Sequence, residues 1–159
     1  MEEPTHTHEF RSFRLTDAAR EELVAAFVPV LAGDECVLFA TLYGSAMEGE
    51  GERVVRDLDV ALYLSESALA QAWRAEGRLG VALEEKVRGI LGDLVPVDVR
   101  TYNEAPLHAQ FRALTGRVLV LTDSDAFARV VEYVVPHYLD MELLRGRAVQ
   151  DLVAERSRA

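Results

Sequence analysis

Residues 42–64, LYGSAMEGEGERVVRDLDVALYL, decide the fold of this chain. They join the end of one predicted strand to a second strand, and a charged loop lies between them. Gly44 and Ser45 follow the first strand, and Asp57 and Asp59 open the second. Because side chains alternate along a strand, both aspartates leave the same face, about 6–7 Å apart along the backbone. The segment therefore predicts two strands with a Gly-Ser turn at one end and an acid pair nearby.

Hydrophobic periodicity places the other elements. Helical spacing is found over residues 16–31, 68–91, 105–114 and 124–156, and strand patterns over 36–43, 57–64, 95–102 and 118–121. Breaks are predicted at Gly77 and Gly80 and a kink or split at Pro136, because these residues disfavour helix interiors; Ser65 and Ser124 are the predicted caps. We expect a loosely ordered segment over residues 1–15, followed by one α/β (α+β) domain over 16–159. The expected domain has a small mixed sheet, helices packed on one face and a long C-terminal helix.

A third acid, Asp98, lies in the strand pattern VPVDVRTY of residues 95–102. If this strand neighbours the second one, at about 4.8 Å, Asp98 reaches the same point as Asp57 and Asp59. At an effective dielectric near 20, two such charges about 5 Å apart repel by roughly 3 kcal/mol. Two Mg²⁺ ions would offset that repulsion and orient a triphosphate, which the backbone at Gly44 and Ser45 could approach. A solvated strand end is the alternative reading of the acid pair.

Composition excludes several classes of protein. The chain has 159 residues, 27 acids against 17 bases and a net charge of −10. This charge argues against binding nucleic acid through a basic surface. A single cysteine, Cys36, excludes an internal disulfide and a multi-cysteine zinc site. The chain lacks an apolar run of membrane-spanning length, and its acidic start is unlike a signal peptide. We therefore expect a soluble cytoplasmic protein, with His6 and His8 in a solvated tail.

The motif of residues 42–64 resembles the signature of the polymerase-β-like nucleotidyltransferase superfamily, in which a Gly-Ser pair precedes an Asp-x-Asp pair by ten or eleven residues. Here eleven residues separate Ser45 from Asp57. Residues 95–106, VPVDVRTYNEAP, resemble the strand with the third acid. Residues 111–142 resemble the tail of the minimal nucleotidyltransferase (MNT) antitoxins, which pair with HEPN-domain toxins. The resemblance covers about residues 36–145.

This resemblance implies a nucleotidyltransferase fold and specific roles. Gly44 and Ser45 would hold the β- and γ-phosphates of ATP. Asp57 and Asp59 would coordinate two Mg²⁺ ions, and Asp98 would bind the catalytic ion and help to activate the attacking hydroxyl. The reaction would transfer AMP to a tyrosine hydroxyl of a cognate HEPN ribonuclease toxin and neutralise it. The toxin would be the partner in a hetero-oligomer, without direct contact with nucleic acid or membrane.

The chain departs from the family pattern at two places. Arg56 precedes the acid pair, where many relatives have serine. The loop carries Glu48, Glu50 and Glu52, where many relatives are more basic. Contacts between this loop and a triphosphate are therefore in question.

Two other functions compete with protein adenylylation. An antitoxin could act by binding and occlusion alone, with the acids vestigial. A nucleotidyltransferase could instead modify a small molecule such as an aminoglycoside, since an acidic surface attracts a cation.

Several further side chains have both a functional and a packing interpretation. Arg100 could meet a phosphate or pair with an aspartate, and Tyr43 and Tyr63 could stack on a base, although core packing is favoured for both. His108 and His137 lack partners at ligand spacing and are expected on the surface. A stripe on the last helix could face a partner, although such stripes are more often core; it comprises Tyr133, Tyr138, Leu139 and Leu143.

Overall fold

The computed structural model describes residues 12–156. Its strands are β1 (Phe13–Leu15), β2 (Val37–Tyr43), β3 (Arg53–Val55), β4 (Leu58–Leu64), β5 (Val97–Thr101) and β6 (Arg117–Leu121). Its helices are α1 (Asp17–Ala32), α2 (Glu66–Leu69), α3 (Ala72–Leu91), α4 (Leu107–Leu114) and α5 (Ser124–Arg156). A 3-10 turn, Gly44–Ala46, follows β2.

The main sheet is mixed and has four strands in the order β5-β4-β2-β6. β4 and β5 run parallel, while β2 is antiparallel to both β4 and β6. The strand with Asp98 therefore neighbours the strand that follows Asp57, which is the arrangement that a shared acid site requires. β5 is an edge strand and begins directly after Pro96, a residue typical of an edge strand or of a strand start. Two carboxylates of α3 cover this edge, because Glu84 accepts a hydrogen bond from Val97 N–H and Glu76 accepts one from Thr101 N–H.

Helices cover both faces of the sheet. On one face, alternate apolar residues of β4 pack with α1 and α3; the fully buried members of this core include Leu23, Phe27, Leu31, Leu58, Val60, Leu62, Leu83 and Val87. On the other face, Phe39 stacks on Tyr63 at 4.1 Å and meets Phe127 of α5 edge-on at 5.1 Å. Ala113 of α4 packs there as well. The mixed α+β fold is confirmed, but the expected cover of one face is extended by α4 and α5, because β2 and β4 are apolar on both sides.

The amino-terminal part is more ordered than its composition suggested. Residues 1–11, including His6 and His8, lie outside the described residues. Phe13–Leu15, expected to be loose, instead forms β1 and pairs antiparallel with β3. β3 in turn falls within residues 46–56, which were expected to be a loop. Each strand has three residues, which is too few to show the alternation of a strand in the sequence. Each is stabilised by its pairing with the other.

The helices differ from prediction in their breaks and in their caps. The helical stretch 68–91 breaks at Ala70 and Gln71, between α2 and α3, while Gly77 and Gly80 lie inside α3. Burial of one face of α3 outweighs the roughly 1 kcal/mol that each glycine costs. α5 passes through Pro136 without being split. Its first turn is capped by Asp123, whose carboxylate accepts from Ala126 N–H at 2.8 Å, and not by Ser124. Ser65 precedes α2 but makes no side-chain capping hydrogen bond.

The described helices include none that is both long enough and apolar enough to cross a membrane.

Candidate active site

Three strands align a tyrosine and two aspartates in one row across the sheet. Tyr43 at the end of β2 pairs in register with Asp59 of β4, and Asp59 pairs with Asp98 of β5. Residues paired across strands point to the same face, so this row lies on the face that α4 covers. Asp57 immediately precedes β4. The structure thus brings together the three aspartates that the sequence singled out.

The aspartates differ in their surroundings. Asp57 and Asp98 are exposed, while Asp59 is half-buried. Burial is the main cause that raises the pKa of Asp59, to about 6; repulsion by Asp57 and Asp98 adds to it, and Arg112 opposes it. Within the described part of the chain, no group donates a hydrogen bond to the Asp59 carboxylate. A half-buried, unpaired carboxylate between two others is a group that a cation would stabilise.

The carboxylates do not form a closed ligand set. Arg100 Nε donates a hydrogen bond to Asp98 Oδ1 at 2.7 Å, so the ion pair weighed from the sequence is present. Among residues 12–156, no group of three or more His, Cys, Asp or Glu side chains is arranged as a ready metal site. The backbone register fits a shared metal site, since hard oxygen donors lie on neighbouring strands. Asp98 would have to turn from Arg100 to complete it.

The Gly-Ser turn lies directly against Asp59. Gly44 has φ +76°, a conformation that favours glycine, and a Cβ at this position would lie 2.4 Å from Asp59 Oδ2. The turn closes through a hydrogen bond from Met47 N–H to the Gly44 carbonyl. Ser45 is exposed beside it. Glycine therefore allows the backbone of the turn to approach the acids, where a side chain would block it.

A tyrosine pair adjoins the row. The hydroxyls of Tyr43 and Tyr102 are hydrogen-bonded, and their rings meet edge-on at 5.6 Å. Burial, with this hydrogen bond, raises the pKa of Tyr43, which therefore stays neutral. Tyr43 and Tyr63 are both buried, which agrees with the favoured packing role. Sequence analysis missed Tyr102, although its spacing from Asp98 along the chain would have placed both on one strand face.

The end of α4 also reaches the site, which the sequence did not indicate. Arg112 is in the last turn of α4, and Gly116 follows the helix. A Cβ at Gly116 would lie 2.4 Å from the Leu42 carbonyl oxygen and 2.6 Å from Tyr43 Cβ. α4 therefore ends in direct contact with the strand that leads into the Gly44 turn. The proximity of Arg112 and Gly116 to the Gly44 turn follows only from the packing of α4 on the sheet.

The acidic loop is anchored by contacts with β1 and the start of α1. The Asp17 carboxylate at the start of α1 accepts from Gly51 N–H, at 3.0 and 3.2 Å for its two oxygens. Glu52 pairs with Arg14 at 2.9 Å. Glu48 and Glu50 are exposed. The loop is therefore held in place by these contacts, while its acidic side chains at Glu48 and Glu50 face solvent.

The stripe on α5 is largely exposed. Tyr138 stacks on Phe111 of α4 at 4.0 Å. Tyr133, Leu139 and Leu143 are 59%, 51% and 63% exposed, so the core interpretation is wrong for these three residues. His137 is exposed and contacts Tyr133 within the same helix.

Solved toxin–antitoxin complexes contain chains with this architecture. One is the complex of a tri-AMPylated HEPN toxin from Shewanella oneidensis with an MNT antitoxin; the match has 15% identity and a TM-score of 0.51 and covers 84% of this chain and 98% of that chain. This chain shares the fold of the chains that it matches in these complexes. Two variants of the toxin–antitoxin pair MntA-HpeT match at 17% and 19% identity, with TM-scores of 0.54 and 0.51. These matches cover 82% and 79% of this chain and 98% and 94% of the others.

No protein-family model matches the sequence, and no curated protein does. The likeness to the MNT structures, at 15–19% identity, is therefore one of fold. Because one fold can serve many functions, the function of this chain is inferred from the three aspartates, the Gly44 turn and the exposed part of α5.

Proposed function

We propose that this protein is an antitoxin that transfers AMP from ATP to a tyrosine hydroxyl of a cognate HEPN ribonuclease toxin. The observation that carries the proposal is the alignment of Asp59 with Asp98, with Asp57 adjoining and the Gly44 turn in contact with Asp59. Carboxylates that can bind metal ions lie beside a turn whose backbone can approach phosphates. This combination suits nucleotidyl transfer.

The matched structures support the partner and the reaction. The HEPN toxin in the Shewanella oneidensis complex is tri-AMPylated. One of the MntA-HpeT structures carries two Asp-to-Glu substitutions two positions apart. Asp57 and Asp59 have that spacing in this chain. Both facts concern those proteins, and they direct the proposal for this one.

The acids would hold two Mg²⁺ ions, which neutralise the triphosphate and stabilise charge on the attacking and leaving oxygens when bound. Asp57 and Asp59 would bind both ions, and Asp98 would bind one of them. Asp59 must be ionised for this role, which its pKa of about 6 allows at neutral pH. Gly44 lets the turn approach the β- and γ-phosphates, and the exposed Ser45 hydroxyl can donate to them.

The chemical step exchanges one phosphorus–oxygen bond for another. The tyrosine oxygen of the toxin attacks the α-phosphorus, and the bond from that phosphorus to the departing pyrophosphate breaks. Asp98 lies exposed on the edge strand β5, so an incoming hydroxyl can reach its carboxylate, which accepts the proton.

The exposed apolar side chains between Leu139 and Val153 of α5 favour a function that involves a protein partner. Leu139, Leu143, Leu144, Val149 and Val153 are 51–65% exposed on this helix. Exposed apolar side chains grouped on one element are typical of interaction surfaces. The same surface would serve an antitoxin that acts by occlusion, which is the second candidate function.

The test is the intact mass of the protein encoded beside this one, as the candidate toxin, after incubation with this chain and MgATP. The wild type is expected to add one or more adenylyl masses. The Asp57→Ala, Asp59→Ala variant is expected to add none. Glu85→Ala, an exposed position on α3 away from the acids and from α5, serves as the control and should behave as wild type. Stable co-purification without a mass gain would replace the proposal with occlusion. If the two proteins neither bind each other nor react, both candidate functions are refuted.

A further inference from the structure

The end of α4 forms a small hollow with the Gly44 turn. Its lining residues are Gly44, Met47, Glu48, Arg112, Thr115 and Gly116. The hollow measures about 80 Å³. This is the space of two to three water molecules, close to the size of one phosphoryl group. The contact of Gly116 with the strand before the turn holds the two walls together.

Arg112 is the cation of this hollow, and no described carboxylate neutralises it. Arg100 is paired with Asp98 and Arg117 with Glu21. Arg112 forms no ion pair with any carboxylate in residues 12–156, although Glu48 lines the same hollow. Its guanidinium is near enough to Asp59 to lower the pKa of that carboxyl, against the effect of burial. The positive charge therefore lies beside the acid row and remains available.

The backbone around Arg112 is fixed. The Thr115 hydroxyl donates to the Arg112 carbonyl at 2.8 Å, and Thr115 N–H donates to the Phe111 carbonyl at 3.1 Å. These bonds close the last turn of α4 against the site. A guanidinium that starts from a fixed backbone loses less freedom when it binds a phosphate than one on a loop.

We propose that Arg112 is a further phosphate-binding residue, which contacts the terminal phosphate of a nucleoside triphosphate beside the Gly44 turn, an inference that rests on the proposed nucleotidyl transfer. Arg112 supplies the positive charge that the loop with Glu48, Glu50 and Glu52 does not. The guanidinium can hold two phosphate oxygens at once. With the α-phosphate at the aspartates, as the proposed transfer requires, AMP has no further phosphate for the hollow, so the site distinguishes triphosphates from monophosphates.

A purely structural role for Arg112 makes a different prediction. An arginine in the last turn of a helix also stabilises the helix dipole. In that case its replacement lowers stability slightly and leaves nucleotide affinity unchanged. Affinity and stability must therefore be measured on the same variants.

The experiment is calorimetric titration of the full chain, in Mg²⁺, with ATP, AMP and inorganic tripolyphosphate as probes. Arg112→Gln is expected to weaken ATP and tripolyphosphate binding about 10-fold, equivalent to about 1.4 kcal/mol. AMP binding should stay within about twofold, since the removed contact is to a group that AMP lacks. Arg112→Lys should fall between wild type and Arg112→Gln. Arg129→Gln, an exposed arginine of α5, is the matched control and should bind as wild type does.

Each other outcome has a defined meaning. Unchanged ATP and tripolyphosphate affinity in Arg112→Gln overturns the site and leaves the proposed function standing. Tripolyphosphate binding that depends on Arg112, without AMP transfer to the toxin, supports the site and refutes the proposed function. A wild type that binds neither polyphosphate refutes the site. If Arg112→Gln does not fold, Glu48→Gln gives an independent test, because removing this competing carboxylate should strengthen ATP binding.

Discussion

Replacing Asp59 by asparagine should stabilise the metal-free protein at neutral pH. Asp59 is half-buried and unpaired, and its pKa is raised from 3.8 to about 6. Above pH 6 the folded protein must hold a charge that burial and two neighbouring carboxylates disfavour. Asparagine has nearly the same shape and no charge, so the variant avoids this cost.

The magnitude follows from the pKa. A rise of about 2 units corresponds to roughly 3 kcal/mol at 1.36 kcal/mol per unit. Because the side chain is only partly buried, solvent screening reduces this figure, and we expect about 1 kcal/mol. The folded pKa lies above the unfolded value, so Asp59 lowers the free energy of unfolding as pH rises from about 4 to 6. The advantage of the variant should therefore be present at pH 7.5 and vanish near pH 4.

The assay is urea unfolding of chelator-treated wild type and Asp59→Asn at pH 4, 5, 6 and 7.5. The difference between the two proteins isolates Asp59 from other titrating groups. Asp140→Asn controls for the loss of an ordinary exposed charge and should stay within about 0.5 kcal/mol at every pH. An Asp59→Asn variant that is no more stable than wild type at pH 7.5, or equally displaced at all four values, would refute the account of Asp59.

Three further predictions test the surroundings of the acids. Gly44→Ala should destabilise slightly more than Gly92→Ala. Both glycines have positive φ (+76° and +69°), but only a Cβ at Gly44 would displace the Asp59 carboxylate, which can turn aside. Urea midpoints of the two variants measure the difference, which should stay below about 1 kcal/mol. Gly116→Ala should cost about 1–3 kcal/mol in the same assay, since its Cβ would meet the β2 backbone, and an unchanged midpoint would contradict the packing of α4. Tyr43→Phe and Tyr102→Phe should each cost about 0.5–1.5 kcal/mol, and a double-mutant cycle should show that the costs are not additive.

Much of this protein could be predicted from local patterns. α1 begins directly after Thr16, whose hydroxyl caps it by accepting from Ala19 N–H, and the helix follows the predicted apolar spacing. β4 alternates as expected, with Leu58 and Val60 in the core and Asp59 on the opposite face. Such signals are readable because period and capping depend on residues close together in the chain.

The acid positions were also predictable, but their electrostatics were not. Asp-x-Asp spacing places Asp57 and Asp59 on one side, and the strand pattern around Asp98 predicts a third position. The half-burial of Asp59 and the ion pair of Asp98 with Arg100 depend on how side chains pack around the strands. Sequence spacing does not contain that information.

The sequence by itself determined the α+β class, the two central strands and the residues available for chemistry. The tertiary structure decided which distant segments meet: β1 with β3, α4 and α5 with the second face of the sheet, and Arg112 with the Gly44 turn. It also decided that Leu139 and Leu143 lie outside the core. The reason is physical, because periodicity follows from bonded geometry, whereas burial and charge pairing follow from contacts between residues far apart in the chain.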